Sequence, residues 1–308
     1  MNKAFQIFFL LFIIGAGVSN SQSVYAPLNS DYYWKLDRYE IKSSRNNPVF
    51  HSVQKPILRS DIAAFVDTTL AMELDLSKMD SFNFEFLKID NHEWFEEDFE
   101  DSKKAFLKEI YRKKSDFFYH KDKDFEFHVN PVFEFAGGND FEEDVSLYIN
   151  TRGVELRGSI DGRVGFYSYI TDTQGRFPNY VRQYSDSNIA LVHEGFWKPF
   201  KTDGYDYFSP RGYVTFGITK HIGLQFGFDR NFIGNGYRSL ILSDFGNAYT
   251  FLKFNTRIWK INYTNIFAQM TGYYSGKNEK ICRALSGEHA SADHSSIDRS
   301  CNRRIFNV

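Results

Sequence analysis

The chain has 308 residues, a formal net charge of -2 and a mean hydropathy of -0.44. This excludes a bundle of apolar membrane helices, and no basic surplus points to nucleic acid. Aromatic residues reach 18%, with 33 Phe and 19 Tyr, a composition suited to strands and interfacial rings.

Residues 1–21 read as a cleaved signal peptide. Lys3 supplies the positive start, Phe8 to Ile14 form the apolar core, and Gly15, Ala16, Gly17, Ser19 and Ser21 lead to cleavage near Ser21-Gln22. The apolar run is well short of the roughly 20 residues a spanning helix needs. The mature chain is therefore expected to be secreted, periplasmic or in an outer membrane. Its two cysteines, Cys282 and Cys301, are free to pair after export.

Residues 22–118 are expected to form a helical unit. Asp31 to Ile41 carries Tyr33, Leu36 and Tyr39 at helical spacing. Ser60 reads as an N-cap for Asp61 to Leu74, with Ile62, Phe65, Val66 and Leu70 on one side. Ser77 to Phe95 is ambiguous, because Phe82, Phe84 and Phe86 also alternate as in a strand. Lys103 to Lys113 reads as an amphipathic helix around Phe106 and Ile110. The acidic run Asp90, Glu93, Glu96, Glu97, Asp98, Glu100 and Asp101 lacks the spacing of a calcium loop and reads as a solvated face.

Over 119–272 the period switches to two. Phe125, Phe127, Val129, Pro131, Phe133 and Phe135 alternate with polar residues, and Pro131 requires an edge or a bulge. Val154, Leu156 and Ile160 continue to the turn Asp161-Gly162, and Val164, Phe166 and Ile170 return from it. A long connection from Thr173 to Gly204 leads to a hairpin, Gly212 to Arg230, which turns at Lys220-His221. There Val214, Phe216, Ile218, Ile222, Leu224, Phe226 and Phe228 share one face, and Thr, Gly, Gln and Asp share the other. A second long connection, Asn231 to Ala248, precedes Leu252, Phe254 and a last strand around Ile261 whose faces the pattern leaves unassigned. Short turns at Asp161-Gly162, Lys220-His221 and Trp259-Lys260 alternate with the long connections. That order suits an outer-membrane barrel with lipid outside and a wet lumen inside. A soluble sandwich shares the side-chain alternation but has no reason to keep the loop order.

Three blocks carry a resemblance to a family: Arg152-Gly-Val-Glu-Leu-Arg-Gly, Glu194-Gly-Phe-Trp-Lys, and Arg230 to Asp244, which reads R-N-F-I-G-N-G-Y-R-S-L-I-L-S-D. Together they resemble the capsule-assembly Wzi family, and within it the gliding-motility RemB-like branch, over about Val24 to Gln269. The resemblance implies an outer-membrane β-barrel whose helical N-terminal portion closes the periplasmic end, and a lectin that holds capsular polysaccharide. It supplies no catalytic residue.

Within these blocks Gly234 and Gly236 are expected to permit a tight turn beside Asp229 and Arg230. Arg238 offers a fork of donors for carboxylates or acidic sugars, and bracing against an internal carboxylate is its plainer use. Trp197 and Tyr180, with Phe196 and Tyr184, could stack on sugar rings or simply pack the loop. Only about seven strands are visible, fewer than the family barrel has. Residues 273–308 are polar and unpatterned, and read as non-native or disordered. Their Cys282, His289, His294 and Cys301 are too widely spaced for a structural zinc, so no metal or cofactor is expected.

The fold expected is mainly β with an N-terminal helical unit, a partial antiparallel outer-membrane barrel. Its partners would be surface polysaccharide, outer-membrane lipid and other envelope proteins, with binding rather than chemistry as its role. Gliding motility or surface export is a neighbouring role. A lumenal hydrolase is the rival class, for which no motif of paired carboxylates or Ser-His-Asp is visible.

Overall fold

A computed structural model describes residues 23–28, 30–43, 49–70, 76–95, 110–188, 190–219, 221–258, 261–274 and 277–286. The expected signal peptide, Glu96 to Asp101, most of the stretch from Lys103 to Lys113 and the expected turn Trp259-Lys260 lie outside these residues.

The first described segment is a small helical unit. It holds α1 (Tyr32–Ser43), the short β1 (Gln54–Lys55), α2 (Arg59–Leu70), α3 (Lys78–Asp90) and a 3-10 turn at His92–Trp94. Leu36, Tyr39, Ile62, Phe65, Val66, Phe84 and Leu87 meet in one core, with Tyr39 stacked on Phe84 at 4.1 Å. The ambiguous Phe82-Phe84-Phe86 run is helical. Ser77 caps α3 in a reciprocal box with Asp80, which fixes its start, and only the middle phenylalanine is buried. Two expectations are corrected here. α2 begins at Arg59, so Ser60 lies inside the helix, and its backbone N–H is taken by Ser23 Oγ at 3.0 Å. Residues 110–113 do not end a helix; Tyr111 has φ 55, a left-handed value that breaks one.

The rest is one antiparallel meander. β2 (Phe118–Lys121), β3 (Phe125–Asp140), β4 (Val145–Ile160), β5 (Val164–Arg176), β7 (Gly204–Thr219), β8 (Ile222–Asp229), β10 (Tyr249–Ile258), β11 (Ile261–Tyr274) and β12 (Lys277–Ser286) pair in that order. The connection between β5 and β7 contains α4 (Asn179–Asn188) and β6 (Lys198–Phe200), which pairs with β7. That between β8 and β10 contains β9 (Phe232–Ile233), which pairs with β1 of the helical unit. The sheet is not closed: among the described residues β2 and β12 remain its two edges.

The turn Asp161-Gly162 is as expected, with φ 52 and 58 at its two central residues. Pro131 is also tolerated for the expected reason. β2 pairs only with Glu126 to Val129, so β3 is an edge at Pro131. The tight-then-long order is corrected at two places on the rim of the long loops: β3 and β4 join through a short turn at 141–144, and only residues 275–276 separate β11 from β12. The reading of 273–308 is corrected for its first part. Lys277 to Ser286 pair with Asn265 to Tyr274, since a sheet edge recruits backbone N–H and C=O whatever the side-chain pattern. Residues 287–308 lie outside the described residues.

The faces of this sheet are arranged opposite to those of a soluble protein. Outward positions include Phe133, Phe135, Phe208, Phe226, Ile258 and Ile261, each half or more exposed. Inward positions are covered and many are polar: His128, Thr151, Arg157, Thr171, Thr173, Ser209, Thr215, Gln225 and Lys253 are buried, alongside Tyr167, Tyr213, Tyr249, Phe251 and Ile266. Register assigns the last long strand too, with Phe267 opposite outward Leu252 and buried Ile266 opposite inward Lys253. The apolar belt on β4 runs from Ile160 to Val154, and the outward ion pair Arg152–Asp172 lies beyond it. Six residue steps at about 3.4 Å, tilted by about 40°, span about 16 Å, part of the roughly 25 Å height of a barrel belt.

The helical unit covers the inward face. Tyr25 N–H donates to Tyr213 Oη at 2.8 Å, Thr215 Oγ1 donates to Ser23 O at 3.2 Å, and Asn255 Nδ2 donates to Tyr25 Oη at 2.9 Å. Arg257, near the short-turn rim, donates to Val49 O.

Candidate functional site

The two long connections, 177–203 and 230–248, leave the same rim and lock together. Glu194 lies in a turn with His193 at φ 72 and Gly195 at φ 79. At Gly195 the positive φ favours glycine, and an added Cβ would stand 2.3 Å from Asn247 Nδ2, displacing that side chain of the second connection. His193 N–H donates to Phe245 O at 3.2 Å, and its Nδ1 lies 2.9 Å from Asp244 O.

This turn aims the Glu194 carboxylate at β7. Ser209 Oγ donates to it, and Arg211 and Arg230 each reach Oε1 at 3.3 Å. Arg230 is buried and also donates to Asp244 O at 3.4 Å. Arg238 Nη1 lies 3.7 Å from Asp244 Oδ1, its guanidinium placed over the rings of Tyr237 and Phe245. Arg238 thus braces Asp244 while its side chain stays 42% exposed.

Of the residues singled out from sequence, the fold joins Arg230 and Arg238 through Asp244. Asp229 lies next to them at the end of β8, its carboxylate taking the Arg230 N–H at 2.8 Å. Gly234 has φ +157 and would bring a Cβ within 3.0 Å of Ser239 Oγ. At Gly236 the contact would be Arg238 O at 3.0 Å, so close approach is the reason for that glycine. Trp197 packs edge-on against Tyr205 at 4.5 Å, and its buried indole N–H has no hydrogen-bond partner among the described residues. Tyr180 stands exposed on α4 and makes no polar or ring contact among the described residues. Glu194 was quoted within a block but not singled out; its place among three donors arises only when two loops and β7 meet. No protein-family model matches this chain, and neither a curated protein nor a solved structure does. The likeness to the Wzi family therefore rests on the quoted blocks alone.

Glu194→Gln removes the charge that pairs Arg211 and buried Arg230. The expected loss is about 1–3 kcal/mol of rim stability, since hydrogen bonds to charged groups are worth this much. Limited proteolysis is expected to nick 177–203 faster in this variant, with the sheet unaffected.

A second polar region lies deeper, between the helical unit and the wall. Arg157 of β4 is fully buried. It donates to Glu93 and to Asp90 O at 3.4 Å, and lies 3.5 Å from Asp116 Oδ1. Arg59 reaches Asp90 Oδ2 at 3.1 Å and Asn91 Oδ1 at 3.0 Å. Burial works against ionisation of Glu93, but Arg157, then His128 and Arg59, outweigh it and bring its pKa down to about 2.

Nearby, a cavity of about 460 Å³ opens between Tyr25, Gln54, Asp61, Asn255, Arg257 and Thr264. Burial lifts the Asp61 pKa to about 6, with Arg257 pulling the other way. The folded chain therefore binds this proton more tightly than the unfolded chain, and stability rises as pH falls from about 6 to about 4. Asp61→Asn is expected to flatten that window and to raise stability at pH 8 by about 1–2 kcal/mol, read by urea unfolding at several pH values.

Proposed function

We propose that this chain forms wall and plug of an outer-membrane β-barrel that holds surface polysaccharide at its long-loop rim without altering it chemically. The observation that carries the reading is the reversed sheet, apolar and exposed outside, polar and covered inside. Water would penalise the first face, and a dry core would penalise the second. A bilayer on one side and a plugged lumen on the other satisfies both. The helical unit meets the wall near the short-turn rim at Arg157 and Arg257, and reaches β9 of the second long connection through β1. In this reading it closes the periplasmic end and fills the lumen, with the long loops facing outward.

The polysaccharide part draws on the rim and on the family resemblance. Arg238 is held by Asp244 with part of its donor fork open, a match for carboxylates on acidic sugars. Tyr180 and Phe196 stand exposed in the first long connection, which also holds Trp197 with its buried indole N–H, and their ring faces suit a sugar ring. Outer-membrane lipid and other envelope proteins are the remaining partners in this reading.

The test uses the full chain in detergent with a polyuronate and a neutral dextran, followed for retention and for release of reducing ends. Retention of the polyuronate, weakened about tenfold or more by Arg238→Gln, supports the proposal; tenfold is about 1.4 kcal/mol. Retention of neither polymer would refute the polysaccharide role, and release of reducing ends would make the chain a hydrolase.

A further inference from the structure

The deep polar region also brings two histidines onto one carboxylate. His92 Nε2 lies 2.9 Å from Asp116 Oδ2, and His128 Nδ1 lies 3.0 Å from the same oxygen. All three side chains are buried, and their ligand atoms fall within 4.8 Å of one another. His128 Nδ1 is near that oxygen but off its hydrogen-bonding direction, so it has no hydrogen-bond partner among the described residues. An unused imidazole nitrogen in a dry site is costly unless something else occupies it.

We propose that His92, Asp116 and His128 bind one divalent transition ion, with zinc as the best match, and that the ion staples the plug to the wall. Two imidazoles and a carboxylate are a borderline nitrogen-oxygen set that suits zinc, with a fourth position left for water. With bonds of about 2.1 Å, tetrahedral donors stand about 3.4 Å apart. Loading would push the carboxylate slightly away from the two rings and draw the ring nitrogens together.

The surroundings fit a ligand set. Ser115 Oγ donates to Asp116 Oδ2 at 3.1 Å, and Asn130 Nδ2 donates to Oδ1 at 3.2 Å. Glu126 Oε1 lies 3.8 Å from the other nitrogen of His128 and is itself held by Tyr119 Oη at 2.9 Å. A carboxylate behind a ligating histidine sets its tautomer and strengthens it as a ligand. Arg157 approaches Asp116 from the Oδ1 side, and it also faces Glu93.

The connectivity gives the ion a use. His92 and Asp116 precede the sheet, whereas His128 belongs to β3. One ion would join covering unit to wall across a boundary that otherwise depends on hydrogen bonds and ion pairs.

The test uses the full chain with Cys282→Ser and Cys301→Ser, folded in detergent, stripped with chelator and titrated with zinc and with cobalt. One ion per chain is expected, with visible cobalt bands of tetrahedral intensity and an unfolding temperature raised by zinc and lowered again by chelator. His128→Gln should weaken binding more than about 100-fold and Glu126→Gln about 10–100-fold, while His120→Gln on the exposed part of β2 should leave it unchanged. If His128→Gln does not fold, the cobalt spectrum of the parent chain still decides. Absence of stoichiometric binding, or binding equal in folded His92→Gln and His128→Gln chains, would overturn the proposal.

Discussion

Phe226→Arg is expected to destabilise the chain folded in lipid vesicles by about 2–4 kcal/mol, the range for arginine near mid-depth on a lipid-facing strand. Phe226 is half exposed in β8, with Val214 and Leu252 as its outward neighbours. Equilibrium urea unfolding in vesicles measures the loss, and Phe226→Leu should change stability by less than about 1 kcal/mol. If that face met water instead, arginine at so exposed a site would fall within about 0.5 kcal/mol of the parent. The substitution therefore separates lipid from water by several times the error of the method.

Arg157→Met has the other large effect, about 3–5 kcal/mol, because removing one member of a buried ion network leaves its partners uncompensated. Glu93 and Asp116 would lose their shared cation, and Asp90 O a donor. The sign with pH follows from Glu93, whose carboxyl falls from 4.5 to about 2 in the folded chain. Its contribution to the parent is complete above about pH 4.5 and is lost as pH falls through about 2. The gap between parent and variant should thus be full at pH 7 and shrink on acidification. A second change, Glu93→Gln, should recover part of the loss at neutral pH, since the pair is then removed rather than broken.

What was legible in the sequence was local. The hairpin of β7 and β8 could be read because a period of two is written directly into Val214 to Phe228, and the turn at Asp161-Gly162 because few residues accept positive φ. The α3 ambiguity could have been resolved from Ser77 and Asp80, a capping pair three residues apart that outranks three alternating phenylalanines. The turn at 141–144 was obscured because its Gly137-Gly138-Asn139-Asp140 signal lies within the end of β3, and the turn itself holds only Asp144 at positive φ. The pairing of Lys277 to Ser286 was hidden for a different reason: an edge strand is held by backbone, and its side chains need no alternation. The site was less legible than the fold. Arg238 and Arg230 were visible in one block, but Glu194 joins them only through the meeting of two loops with β7. His92, Asp116 and His128 lie on three separate segments with no motif spacing, so only the packing of the helical unit against β3 brings them together.

The most direct test of the lipid-facing wall is spin labelling at single cysteines from Tyr213 to Ile218, in vesicles, with Cys282 and Cys301 replaced by serine. Collision with oxygen, which dissolves in the bilayer, is compared with collision with a water-soluble nickel complex. Oxygen accessibility should peak at positions 214 and 216, with 213, 215 and 217 shielded from it; Ile218 sits at the register shift between Gly217 and Thr219 and follows neither set. Equal accessibility to nickel at positions 214 and 216, or protection of those positions from both reagents, would contradict the account.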